Sequence, residues 1–323
     1  MSLNILFVGD LSSNNNTLFR YKSLKRLGYN VKPLNIINFT PKIKFLYWIN
    51  YRYQPSIFNI KLLQILKKEI LNDYSLIWIE KGIFIDIRKI KNKKRIPIIH
   101  FNPDNPFGKR HDGCWKLFIK NISLYDCHLT PRLSDNKFYK KITTKKKYTF
   151  PFCYDEKIHY YENLNKNLDV TFVGSNHDNR YEFVKKVEKI LGFKINIYSD
   201  NWKGNYNKGV YGDEYRKIIN KSKVMINFIT NSNVDEYSRR SIEMAACKCF
   251  FISQKGKVQE KIFRESRETF YFNNELECAY LIKEYLISDK KRDIISENAY
   301  QRVNKLRLNN KYQMKKIIEK VLA

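Results

Sequence analysis

One pattern occurs twice along the chain and limits its fold more than any other feature. Residues 4–8 are an apolar run ending at Gly9-Asp10. A segment with helical spacing follows over 17–27 and is closed by Gly28, and the short apolar stretch Asn30–Leu34 comes next. In the second half the run 169–173 ends at Gly174-Ser175, a helical segment spans 180–191 and stops at Gly192, and Lys194–Tyr198 reads as a strand. Strand, turn, helix, glycine stop, strand is the βαβ pattern; glycine ends the helix because it accepts left-handed backbone angles without steric cost. Found twice, the pattern predicts an α/β fold of two doubly wound, Rossmann-like domains.

Further apolar runs fit this scheme. Residues 75–79, 96–101, 125–130 and 147–150 extend the first predicted sheet, and 224–229 and 249–253 the second. The stretch 154–168 is polar and aperiodic, which marks a linker. The expected division is an N-terminal domain over 1–160, a C-terminal domain over 161–305, and a last helix within 306–323 that packs back on the first domain. A chain of 323 residues holds two such domains comfortably.

Composition adds a charge argument and removes some classes. Lys plus Arg number 61 against 32 Asp plus Glu, a formal net charge of +29. Such a field attracts polyanions, so DNA or an anionic membrane surface enters as a partner. The abundance of Lys, Ile, Asn and Tyr also matches AT-rich codon usage, and both origins of the charge stay open. No run approaches the roughly 18 apolar residues of a membrane span. Residues 1–10 read as a first strand with no basic leader before it. The six cysteines, at 114, 127, 153, 247, 249 and 278, lack metal-ligand spacing, and His111, His128, His159 and His177 are scattered. The expectation is a protein of the cytoplasm with reduced, buried thiols and no metal, free or peripheral at the inner membrane surface or with phage DNA.

In doubly wound sheets ligands bind beyond the carboxyl ends of the strands, so the residues just after each strand are the ones to inspect. In the second half Asp235 precedes Arg240-Ser241-Ile242-Glu243-Met244-Ala245-Ala246-Cys247. On a helix Arg240 and Glu243, three apart, share a face. A guanidinium near a helix start suits a diphosphate, and a carboxylate one turn on accepts hydrogen bonds from two ribose hydroxyls. The competing reading is an intrahelical salt bridge on a solvated face.

The segment 240–247 resembles the R-x-F-E-x-x-A-C signature of the CgeB-like (spore maturation protein) glycosyltransferases, relatives of the group 1 glycosyltransferases with the GT-B fold. Asp235 and Glu243 keep the spacing of the group 1 E-x7-E motif, with Asp in the first place. Thr171-Phe172-Val173-Gly174-Ser175 followed by Arg180 is similar to the family's F-V-G-S...R opening of the second domain. The segment from Tyr198 to Trp202 and the stretch 219–228 match further pieces in order, so the resemblance covers about 168–265. It implies two Rossmann-like domains facing each other across a cleft, and a nucleoside diphosphate sugar, with a UDP-sugar expected, as donor rather than as a permanently bound cofactor. Glu243 would take the ribose and Arg240 the diphosphate, while Gly174 and Ser175 would let main-chain N–H groups approach the donor. Asp235 and Arg180 would line the donor site, and Trp202 either borders the base or is a core tryptophan. Lys248 departs from the pattern, because group 1 enzymes carry glycine there.

In the first half Asp104 sits in Asn102-Pro103-Asp104-Asn105-Pro106, right after the run 96–101, where the family often reads D-D-P. It is a candidate general base on the acceptor hydroxyl, or a group that orients the acceptor. Asp10 after the first strand faces the same edge and is a second catalytic candidate, Arg20 in the next helix is a candidate for reaching a phosphate, and Glu80-Lys81-Gly82 also follows a strand. The segment Lys42–Tyr53 interleaves aromatic and basic residues and suits a membrane interface, a nucleic acid, or a helix packed on its own domain. The function expected is sugar transfer to a hydroxyl of a surface glycan or similar acceptor. The alternatives are a glycosyltransferase acting on hydroxymethylated phage DNA, and a basic nucleic-acid-binding protein without catalysis.

Overall fold

The computed structural model describes residues 3–13, 15–90, 92, 94–108 and 114–322. The chain divides into two compact units, Met1–Pro151 with Gln313–Ala323, and Phe152–Tyr312. Residues 152–160, placed in the first domain from sequence, belong to the second unit. Phe152 and Tyr154 join the second core, the Phe152 N–H donates to Tyr237 Oη at 2.9 Å, and Tyr154 forms an isolated bridge with Asn309.

In the first unit β1 (Asn4–Gly9), β2 (Asn30–Asn35), β3 (Leu76–Glu80), β4 (Ile98–Phe101), β5 (Cys127–Thr130) and β6 (Lys146–Thr149) form one sheet. Its order is β2-β1-β3-β4-β5-β6 and every pairing is parallel. The inner strands are buried from end to end, as Leu76–Glu80 shows, which is why they read as unbroken apolar runs and not as alternation. The first helix, Asn16–Arg26, starts where the Asn15 side chain accepts from the Thr17 N–H and ends with Lys25 and Arg26 in its last turn, favourable at a helix C-terminus.

The second unit holds β7 (Leu168–Val173), β8 (Asn196–Ser199), β9 (Asn207–Lys208), β10 (Ser222–Asn227), β11 (Phe251–Gln254) and β12 (Phe270–Phe272). Their order is β12-β11-β10-β7-β8-β9, again all parallel. Read from β9, the strands run third, second, first, fourth, fifth, sixth, which is the Rossmann order. The short outer strands β9 and β12 were not foreseen. Asn207-Lys208 is polar and exposed, so no apolar run announces it. The last helix, Asn310–Leu322, carries buried Met314, Ile317 and Ile318 and sets Lys320 Nζ over the Tyr148 ring at 4.3 Å, in the first unit. No helix among the described residues is long and apolar enough to cross a membrane.

Candidate functional site

Each sheet has one place where strand order reverses, between β1 and β3 in the first unit and between β7 and β10 in the second. There the loops leave in opposite directions and open a crevice. The two crevices are filled in opposite ways.

In the first unit the reversal is closed by an ion pair. Glu80, the last residue of β3, takes Arg20 Nε at 2.8 Å and Nη2 at 2.6 Å, and both side chains are buried. Trp78 Nε1 also donates to Glu80 at 2.9 Å, and Arg20 lies over the Phe101 ring. Gly9 is needed here, because a Cβ on it would stand 2.7 Å from Thr17 and 2.9 Å from Glu80. Arg20, a phosphate candidate from sequence, is therefore engaged in holding the fold. Asp10 forms a local turn, accepting from the Ser12 N–H and hydroxyl.

Beside this closed crevice lies a polar edge. Lys81 and Gly82 follow β3 with φ of 61° and 68°, and a Cβ on Gly82 would meet Tyr125 Oη at 2.5 Å. The turn brings Lys81 Nζ within 2.7 Å of Asp104 Oδ2. The Asp104 N–H is taken by Asn102 Oδ1. Burial, with the charge of Asp10 behind it, raises the phenol of Tyr47, while Lys81 opposes the rise, so Asp10, Lys81, Asp104 and Tyr47 gather at one end of the sheet. His100 anchors the turn through Nε2 to the Lys81 carbonyl at 3.1 Å, a structural role.

In the second unit the reversal holds a cation enclosed by neutral oxygens. Arg180 opens the helix Arg180–Leu191 after β7 and is buried. Its guanidinium donates to the Ser175 carbonyl at 3.2 Å, the Ile229 carbonyl at 3.4 Å and the Thr230 hydroxyl at 3.0 Å, and so spans the loops after β7 and β10. Its Nε finds no partner among the described residues. Burial first, then the neighbouring charge of Arg240, brings its pKa down to about 10, with Asp178 and Asp235 opposing, so it stays charged at neutral pH. Gly174 lines the same place, and a Cβ on it would sit 2.9 Å from the Phe172 ring.

The helix Arg239–Ala246 begins at this edge behind Ser238. Glu243 is 3% exposed, so its carboxylate is enclosed and not on a solvated face. Its ion pair is with Arg239, at 3.0 Å, and not with Arg240. His159 Nε2 lies 3.8 Å from the same carboxylate, and His159 Nδ1 accepts the Asp155 N–H at 3.1 Å, which puts the ring's proton on Nε2 facing Glu243. Burial lowers the His159 pKa, against the pull of Glu243 and Asp155, so the ring is a neutral donor. Arg240 is half-buried, makes no ion pair among the described residues, and acts through space on Arg180, Tyr211 and Tyr215. Asp235 takes the Asn233 side chain at 2.8 Å.

Trp202 has the second of its two expected places. It is buried in the second core against Phe172 and Tyr181. Sequence reasoning missed Arg239 and His159. His159 lay in the presumed linker, and its only signal was its spacing from Asp155. His111 lies outside the described residues. Lys248 takes the glycine position with φ of 53°; the Lys248 and Cys249 N–H groups return to Ala245 and Met244, and the ammonium pairs with Glu297 at 2.8 Å above the Tyr300 ring. The tight turn forms with lysine in it. Among the described residues no group of three or more His, Cys, Asp or Glu side chains is arranged to hold a metal ion.

Comparison with known proteins places this geometry in a class. Residues 180–319 match the glycosyl transferase-like family. Among solved structures, sucrose-phosphate synthase from Thermosynechococcus elongatus is similar with a TM-score of 0.71 at 12% identity over 99% of both chains. HepE of Anabaena in complex with UDP-glucose gives 0.68 at 10% identity over 99% of both. BGT of phage T4, a mutant in complex with UDP-glucose, gives 0.61 at 15% identity over 99% of both. No curated protein matches the chain. The fold is GT-B, two Rossmann-like domains, and its second unit carries most of the stretch that matches the glycosyl transferase-like family.

Proposed function

We propose that the chain transfers a sugar from a nucleoside diphosphate sugar to a hydroxyl of a surface glycan or similar acceptor, with the donor held on the second unit. The observation that carries this reading is Arg180, a buried cation at the strand-order reversal whose hydrogen-bond partners there are neutral oxygens. A diphosphate is the anion such a place suits, because burial strengthens its pairing with a guanidinium and the starts of two helices add positive potential. Arg240 supplies a second charge, so side chains neutralise the leaving group. Glu243, held by Arg239 and faced by the His159 N–H, is oriented to accept from ribose hydroxyls. A UDP-linked sugar is the first donor to test, since HepE and BGT are seen with UDP-glucose. On the first unit Asp104, held by the Lys81 ammonium at 2.7 Å, orients the acceptor.

A thermal-shift series with UDP-, GDP-, dTDP- and CMP-linked sugars tests this. A donor at a hundred times its Kd stabilises by about 2.7 kcal/mol. Arg180→Ala and Glu243→Ala should lose most of that shift, and Glu243→Ala its transfer activity, with far-UV circular dichroism unchanged. A melting temperature indifferent to every nucleotide sugar, or near-normal transfer by Glu243→Ala, would remove the site. The net charge of +29 favours a second acceptor, hydroxymethylated DNA. Salt-sensitive duplex binding with product formed on that DNA would select it.

A further inference from the structure

The helix Lys44–Tyr53 does not bury its aromatic residues evenly. Tyr47 and Tyr51 turn inward and pack edge-on against Phe84, while Asn50 is buried in a two-way amide pair with Asn59 of the helix Ser56–Glu69. That fixes the rotation of the helix and leaves Phe45 and Trp48 outside, 65% and 49% exposed. They stack at 6.2 Å, Tyr53 meets Trp48 edge-on at 6.0 Å, and the Arg52 guanidinium lies about as far from both rings. Ile43 just before this helix and Ile57 and Ile60 on the next are exposed as well, Ile57 at 71%.

Along this part of the chain the charge is of one sign. Residues 11–68 contain no Asp or Glu and eleven Lys or Arg, in a chain that has 32 carboxylates elsewhere. Lys42, Lys44 and Lys61 are exposed among the apolar residues. A lack of carboxylates over such a length is what a segment facing an anionic plane requires.

We propose that this face of the first unit docks on an anionic lipid bilayer, with the rings of Phe45, Trp48 and Tyr53 at the headgroup boundary. The exposed isoleucines decide between the two polyanions that fit the charge. An aliphatic side chain has no ring face for a base to stack on and gains nothing from a phosphate, but it does gain from entering acyl chains. Trp and Tyr with nearby Arg and Lys are the side chains that settle at a membrane–water interface. The helices lie on the bilayer and do not enter as spans, since none among the described residues is long and apolar enough. The inference is independent of sugar transfer and is tested without donor or acceptor.

The test uses the full chain and vesicles of phosphatidylcholine with or without phosphatidylglycerol. Of the four tryptophans, Trp78, Trp115 and Trp202 are buried, so Trp48 is the one whose emission a docking surface would change. The chain should float with the phosphatidylglycerol vesicles and not with pure phosphatidylcholine, its emission should shift to the blue, and binding should weaken with salt. Both mutated side chains are exposed, so Phe45→Ser with Trp48→Ser should keep the wild-type melting temperature and lose more than tenfold in vesicle binding. Lys42→Gln with Lys44→Gln should lose about fivefold per charge, and Trp48→Phe should retain most of the binding. No flotation of the wild type at low salt, or unchanged flotation of the Phe45/Trp48 variant, overturns the proposal. So does binding of duplex DNA that shifts the Trp48 emission and excludes vesicles, because the face would then belong to nucleic acid.

Discussion

Lys248 shows how a single residue departs from a pattern without breaking the turn. Its φ of 53° lies where glycine is preferred, and a non-glycine residue there costs about 1 kcal/mol. The pairing with Glu297 and the Tyr300 ring offsets part of that cost, although partial exposure keeps the ion pair weak. Lys248→Gly should therefore stay within about 0.5 kcal/mol of wild type, while Lys248→Ala, which keeps the strain and loses the contacts, should be destabilised by about 0.5 kcal/mol in urea titrations. Glu80 is the opposite case. Glu80→Ala strands a buried guanidinium, and a loss of about 3–5 kcal/mol is expected by the same measurement. Neither partner of that pair declared itself in the sequence. Arg20 and Glu80 are sixty positions apart, and each alone looked like a residue on a ligand edge.

At the scale of the element, helices closed by glycine were the most legible. The segment 180–191 was read to the residue because Gly192 ends it with φ of 81°. The inner strands were legible because burial on both faces leaves an apolar run. What could not be read was which of two adjacent arginines would face Glu243, since positions three and four residues apart both lie on its side of a helix. Packing resolved the choice for Arg239. Two buried imidazoles of the first unit also make its stability depend on pH. Burial holds His100 well below its ordinary value, with His128 adding to the effect, and burial brings His128 down to about 4. Both rings are neutral in the fold, so below about pH 6.5 the unfolded chain binds more protons and stability is lost as the pH drops. The loss runs from near pH 6.5 down to about 4 for His128, where that ring alone accounts for up to about 3 kcal/mol. Denaturant midpoints at pH 7.5, 6 and 5 should decline in that order, and His128→Gln should flatten the decline.

For the whole molecule, the doubled βαβ grammar was enough to foresee two parallel sheets, but not how the chain shares itself between them. The unit that opens the chain also takes residues 313–323, after the other unit is complete. The last helix brings buried Met314, Ile317 and Ile318 and the Lys320–Tyr148 contact. Deleting 313–322 should therefore lower the stability of the first unit and leave the second unit's donor-induced thermal shift in place, as separate melting transitions in a calorimeter would show. During synthesis this gives an inverted schedule. The first unit waits for its closing segment until the whole of the second unit has been made, while the second unit by then already has every residue it needs to fold.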